Sequence, residues 1–222
     1  VLTADHAWIK QAQAARKDAR FRFILARQHW LVVPFTTPVG VTMRAYSLAH
    51  LLRGRGRAGE SVAAAAFYLA WPAALVGALG CWRGLAFMAL HQALYGLYLA
   101  SITAPNHWGM PMPEDTAAMD FVRHQATTSR NLAGGALVDL WYGGLNRQIE
   151  HHLFPSMPRN RLREAREVVR PLCAERGIPY REVGPWEAYR EIYRVMRRVA
   201  RAVRWGEALG EGGAGSTTAD EP

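Results

Sequence analysis

Two adjacent histidines, His151 and His152, stand in the sharpest motif of the chain, Gln148-Ile149-Glu150-His151-His152 within LNRQIEHHLFPSMPR. On a helix, residues three or four apart share a face, so Gln148 lies beside both histidines. Consecutive helical positions diverge by about 100°. The pair is therefore poorly placed to chelate one ion and well placed to give one imidazole to each of two neighbouring metals. Imidazole suits iron, copper, zinc and nickel, so the ligand type does not choose the metal. A His-His pair is commonly no more than a surface or helix-end feature, and its neighbourhood has to strengthen it. Here a further histidine, His107 in PNHWG, is expected to converge on the same place.

That expectation comes from the elements that must carry these residues. Residues 62–80 and 84–104 contain no charged side chain. Each is close to the roughly 20 residues a helix needs to cross the hydrocarbon layer. Neither shows the polar stripe of a soluble helix. With only Cys81, Trp82 and Arg83 between them, they predict a transmembrane hairpin. Arg53, Arg55 and Arg57 precede the first span, Arg123 and Arg130 follow the second, and Arg83 alone sits at the far end. Positive charge collects on the cytoplasmic side, so both outer ends are expected to face the cytosol. His107 and Gln148–His152 then meet one membrane surface. His91, inside the second span, lies about 24 Å of helix from His107 and cannot share that site. It is expected to be a buried histidine bonded to a backbone carbonyl. His6, His29, His50 and His124 have no partner at ligand spacing and are read as non-ligands.

Elsewhere, residues 1–29 read as helical, and 30–52, apolar but broken by Pro34, Pro38 and Gly40, as an interfacial or half-inserted segment. Residues 105–115 read as a Pro-rich loop beginning where Pro105 ends the second span. Residues 116–153 read as largely helical with a break at Gly134-Gly135 or Gly143-Gly144. An Arg/Glu-rich helix is expected over 159–176, interrupted or ended near Pro171, then a turn over 177–185 and a basic helix over 186–205. The Gly-rich, net acidic stretch 206–222 is expected to be disordered. No internal repeat is present. The fold class is all-α: an integral-membrane helical hairpin with a cytosolic helical cap over 116–205.

The formal net charge is +9, carried almost wholly by arginine, since Lys10 and Lys17 are the only lysines. A basic balance fits an anionic surface, either nucleic acid or the cytoplasmic leaflet. Nucleic-acid binding is disfavoured, because the aromatics fall mostly in and at the ends of the spans, as an interfacial belt has them. Membrane lipids are the expected partner of the basic helices. Cys81 and Cys173 form neither a C-x-x-C pair nor a disulfide framework.

LNRQIEHHLFPSMPR closely resembles the third histidine box of membrane fatty-acid desaturases, in the subgroup with Gln at the first position that includes the front-end desaturases. HQALYGLYLASITAPNHWGMPMPED at 91–115 and TTSRNLAGGALVDLWYGGLN at 127–146 resemble actinobacterial members. The resemblance covers most of residues 20–205. It implies two non-haem irons, held by histidines from three boxes and an extra ligand near the end of the last span. It implies a reaction in which O2 and two electrons remove two hydrogens from an acyl chain. His151 and His152 match the two box histidines, and Gln148 the variant first position, a weak ligand or a group behind the ligands. His107 is the candidate for the extra ligand, Asn106 a weaker one, and Pro155 and Pro158 would end the box helix. Position 147 is Arg where the family pattern leads one to expect an aromatic residue.

The implied partners are a fatty acyl substrate, carried by coenzyme A, acyl carrier protein or a lipid, and a separate electron donor, ferredoxin or a b-type cytochrome. The H-P-G-G signature of fused haem domains is absent from the sequence. The implied location is a bacterial plasma membrane with the site on the cytoplasmic side. The H-x-x-x-H and H-x-x-H-H boxes are not found among the eight histidines. The chain is therefore expected to be the C-terminal part of a desaturase, incomplete and inactive alone. Two other readings stay open: a lipid hydroxylase of the same fold, or a non-catalytic membrane protein that binds lipid or a partner.

Overall fold

The computed structural model describes residues 19–53, 58–113 and 119–205. The expectations for residues 1–18 and for the tail 206–222 lie outside them, as do residues 54–57 and 114–118. Among the described residues the regular structure is helical apart from one pair of two-residue strands, so the all-α expectation holds.

Helices α1 (Ala19–Ala26), α2 (Gln28–Thr36) and α3 (Val39–Leu52) come first. The apolar segment 30–52 is thus two helices with a turn at Thr37-Pro38, each too short to cross a membrane. Helices α4 (Ala58–Leu79) and α5 (Cys81–His107) follow, and both are long and apolar enough to cross one. They pack on each other as a hairpin. Leu69, Leu90 and Leu94 are exposed, and no residue of α4 is buried. A helix that is apolar all round and uncovered by protein needs another apolar medium around it. The hairpin turns at Gly80, whose φ of 79° is a conformation that glycine adopts without strain. Gly96 marks where α5 meets the α2–α3 turn. A Cβ there would lie 2.2 Å from the Thr37 carbonyl oxygen.

Pro105 does not end the second span. Helix α5 runs through it to His107, and Pro105 is buried. Proline removes the N–H that would have bonded the carbonyl four residues back. That carbonyl, on Ser101, instead accepts the Tyr189 hydroxyl at 2.7 Å. A tertiary partner thus replaces the missing helical bond. Pro171 is likewise accommodated inside a helix, which continues to Glu175.

The remaining elements are α6 (Phe121–Thr128), β1 (Asn131–Leu132), α7 (Ala136–Tyr142), α8 (Gln148–Leu153), a 3₁₀ turn (Arg159–Arg161), α9 (Leu162–Glu175), β2 (Glu182–Val183) and α10 (Pro185–Trp205). Both glycine pairs break the helical run. Gly143 and Gly144 take φ of 56° and 85°, and Gly143 closes α7 in the left-handed conformation. Strands β1 and β2 pair in parallel, Asn131 opposite Glu182 and Leu132 opposite Val183. The segment 177–185 therefore contains a strand where a plain turn is expected. Two residues are too few for the alternation that would reveal a strand.

Three small apolar clusters hold the assembly. Ile149, Ala126, Val169 and Cys173 fix α8 between α6 and α9. Ile102, Leu132, Tyr142 and Ala188 join the end of α5 to β1, α7 and α10. Ala26, Val199 and Val203 join α1 to α10. Helix α10 thus spans from the first described helix to the end of α5, which fixes the height at which α5 presents His107.

Candidate metal centre

Helix α8 has six residues, too short to hold itself in water. Buried polar contacts fix it. Glu150 is fully buried and accepts from Asn131 Nδ2 at 2.7 Å and from the Tyr180 hydroxyl at 2.7 Å. The Asn131 side-chain oxygen accepts the Ile149 backbone N–H at 2.9 Å, one of the first-turn donors that a helix cannot satisfy itself. Phe154 caps the other end, ahead of Pro155, so the box helix stops where its prolines predict.

The end of α5 is tied to the start of α8 by one amide. Asn106, fully buried, directs Nδ2 at Gln148 Oε1 (3.0 Å) and at the Leu145 carbonyl (3.0 Å). Arg130, also fully buried, holds the same turn through separate contacts. Its guanidinium donates to the carbonyls of Pro105 and Trp108 and to Glu191, which is shared with Arg181. The stretch that carries His107 is therefore pinned on both flanks.

The result is a convergence of three imidazoles. The rings of His107 and His152 have centroids 5.0 Å apart at 43°, and those of His151 and His152 lie 6.1 Å apart at 75°. His151 Nδ1 is buried with no hydrogen-bond partner. Burial holds the His151 pKa below its ordinary value, helped by the Arg159 charge. Burial also pushes His152 down to about 4, with His107, His151 and His124 adding to the effect. A charged imidazolium is disfavoured in this setting, and the neutral form is the one with a lone pair to give a metal. A free, buried ring nitrogen and two neutral imidazoles fit a metal site. Among the described residues no three His, Cys, Asp or Glu side chains stand close enough to hold one ion by themselves, so this cluster can form only part of such a site.

Among the described residues, the other histidines stand apart from this cluster, with one exception. His91 is half-buried between the Phe87 and Tyr95 rings, and its Nδ1 partner is the Gln92 side-chain amide at 3.0 Å, in place of the expected backbone carbonyl. His29 lies against Trp30 and Tyr193. The exception, His124, read from sequence as a non-ligand, is close enough for its charge to bear on His152 and contacts Gln125. Sequence reasoning missed Gln125, whose Oε1 lies 2.7 Å from His152 Nδ1. It also missed Arg130, Asn131 and Tyr180. Asn131 belongs to TTSRN, a stretch singled out for resemblance alone, Arg130 stands out there only for that resemblance and its charge, and Gln125 and Tyr180 carry no local signal.

The fold and the site together describe a helical protein with two potential membrane spans and a histidine cluster at the end of the second. A family profile described as fatty acid desaturase matches residues 3–184. The chain belongs to the fatty acid desaturase family. Among curated relatives, it is 33% identical over 121 residues to the acyl-lipid (9-3)-desaturase of Physcomitrium patens, covering 54% of this chain and 23% of that protein. It is 25% identical over 197 residues to Delta(8)-fatty-acid desaturase 2 of Arabidopsis thaliana, covering 84% and 42%. It is 30% identical over 126 residues to the Delta(5) fatty acid desaturase fat-4 of Caenorhabditis elegans, covering 53% and 28%. The chain spans less than half the length of these relatives. No solved structure matches.

Proposed function

We propose that this chain forms part of the di-iron site of an O2-dependent fatty acyl desaturase. The observation that carries the reading is the convergence of His107, His151 and His152, because the first comes from a different element from the other two. His151 and His152 would each give an imidazole to the metal pair, and His107 would close the cage from the membrane side. Gln148 and Asn106 share a hydrogen bond. They act behind the ligands, Asn106 by holding Gln148 and the end of α5 in register. Two bound irons would supply the oxidising power that removes two hydrogens from an unactivated acyl chain. The remaining ligands would come from boxes of the H-x-x-x-H and H-x-x-H-H types, which these 222 residues do not contain.

The protein residues bind and orient. The buried Glu150–Asn131–Tyr180 network holds α8, and Arg130 holds the turn of His107, so the imidazoles keep one geometry without a metal to gather them. An apolar cleft of about 290 Å³ is lined by Val32, Thr36, Trp108, Ile192 and Met196. Its apolar lining would suit an acyl chain, and Trp108 in its wall is the residue next to His107 in the chain. The acyl group would arrive on coenzyme A, acyl carrier protein or a lipid, and the electrons from a separate ferredoxin or b-type cytochrome. The arginine asymmetry supports both ends of the hairpin facing the cytoplasm of a bacterial cell, where such a donor would have access.

The test uses the protein expressed at full length from its own gene. His152→Ala and His107→Gln should each lose iron and most acyl desaturation while the protein still inserts. His91→Ala should keep its iron. Full iron content and full turnover in His152→Ala would sink the reading. The same result in His107→Gln would remove His107 from the site, since glutamine keeps the polarity an interfacial histidine would need.

A further inference from the structure

His152 has two ring nitrogens, and only one can face a metal. The structure shows what occupies the other. Gln125, on α6, places Oε1 2.7 Å from His152 Nδ1. An amide oxygen only accepts, so this contact requires a proton on Nδ1. The neutral ring has one proton, and Nε2 is then left as a bare lone pair. The other end of the same amide is engaged too: Gln125 Nε2 lies 3.3 Å from His124 Nδ1. With the amide so placed, its nitrogen faces a lone pair on His124 Nδ1 and its oxygen meets His152. The reverse rotamer would put an N–H against His152 Nδ1, move the ring proton to Nε2, and leave no free lone pair on that ring.

We propose that Gln125 is the positioning residue of this centre: it holds the proton of His152 on Nδ1 and so presents Nε2 to the metal. Metal-bound histidines commonly donate their second ring N–H to a neighbouring acceptor, which fixes the tautomer and ring angle. Carboxylates and backbone carbonyls do this most often. A glutamine does it without adding charge to a half-buried cluster. Helix α6 serves the cluster twice, because the Thr128 backbone, one turn beyond Gln125, hydrogen-bonds His107. Ala126, between them, is buried against Ile149 of α8, so packing fixes α6 beside the box helix. The element that aims the imidazoles thus lies outside the histidine motif.

The inference rests on His152 facing a metal, but its core can be read without any metal. In the full chain, labelled with ¹⁵N-histidine in detergent at neutral pH, long-range ¹H–¹⁵N correlations report which ring nitrogen carries the proton. The His152 signal is the one lost in His152→Asn. It should show Nδ1–H, the minor form of free imidazole. Gln125→Leu should move it to Nε2–H, whereas Gln125→Glu, which keeps an acceptor at the same place, should restore Nδ1–H. In the full-length protein, Fe²⁺ titrated anaerobically should bind about 10–100-fold more weakly in Gln125→Leu and near the wild-type level in Gln125→Glu. A merely structural role for Gln125 would leave the tautomer unchanged in a folded Gln125→Leu. Nε2–H in the wild type, or Nδ1–H persisting in Gln125→Leu, would overturn the proposal. If the tautomer follows Gln125 but iron survives His152→Ala, the metal reading of His152 fails while the hydrogen bond stands.

Discussion

Replacing Asn131 by leucine should loosen the box helix without touching a histidine. The side chain is almost fully buried, and its amide makes three bonds that leucine cannot: Nδ2 to Glu150 at 2.7 Å and to the Tyr180 hydroxyl at 2.6 Å, and Oδ1 from the Ile149 N–H at 2.9 Å. Losing a hydrogen bond to a charged group costs about 1.5–3 kcal/mol, and a buried N–H left without an acceptor about 1–3 kcal/mol. Leucine recovers part of this through its own burial, so a net loss of about 3 kcal/mol is expected. Cys173 provides the assay. It is fully buried against Ile149, whereas Cys81 is exposed and serves as an internal reference. A thiol reagent reaches Cys173 only when α8 and α9 separate. With roughly a tenfold change for each 1.4 kcal/mol, labelling of Cys173 should speed up about 100-fold in Asn131→Leu. Labelling of Cys81 should not change. An acceleration below about tenfold would refute the view that this amide holds the helix.

Two further outcomes follow from the hairpin and its packing. Cysteines at Arg53 and Met112 should react with an impermeant maleimide only after the cells are opened, while native Cys81 at the hairpin turn reacts from outside; Arg53→Cys and Met112→Cys labelling from opposite sides would break the hairpin topology. Gly96→Ala forces a methyl into the Thr36 and Thr37 carbonyls, at 2.6 and 2.2 Å, and should lower the thermal midpoint in detergent, by analogy with overpacking that costs about 1–3 kcal/mol. Gly77→Ala, in open space within the same hairpin, should leave the midpoint level or raise it, as replacing a mid-helix glycine gains about 0.5–1 kcal/mol. Equal effects of the two glycine substitutions would show that close approach at Gly96 does not matter.

The sequence by itself determined what depends on local composition. An uncharged run of span length is a statement about each residue's transfer into an apolar medium, so the hairpin was legible from 62–80 and 84–104. The box helix and its proline stop were legible because helical spacing and proline geometry act within a few residues. Tertiary structure decided what happens at Pro105. Its missing N–H frees a carbonyl locally, but Tyr189, far along the chain, satisfies it and lets the helix reach His107. Tertiary structure also decided which polar residues serve the site. Gln125 and Tyr180 meet His152 and Glu150 only because Ala126 and Cys173 pack beside Ile149. Side-chain partners this far apart leave no period in the chain, since burial brings them together and the hydrogen bond is then required of whatever polar atoms have been buried.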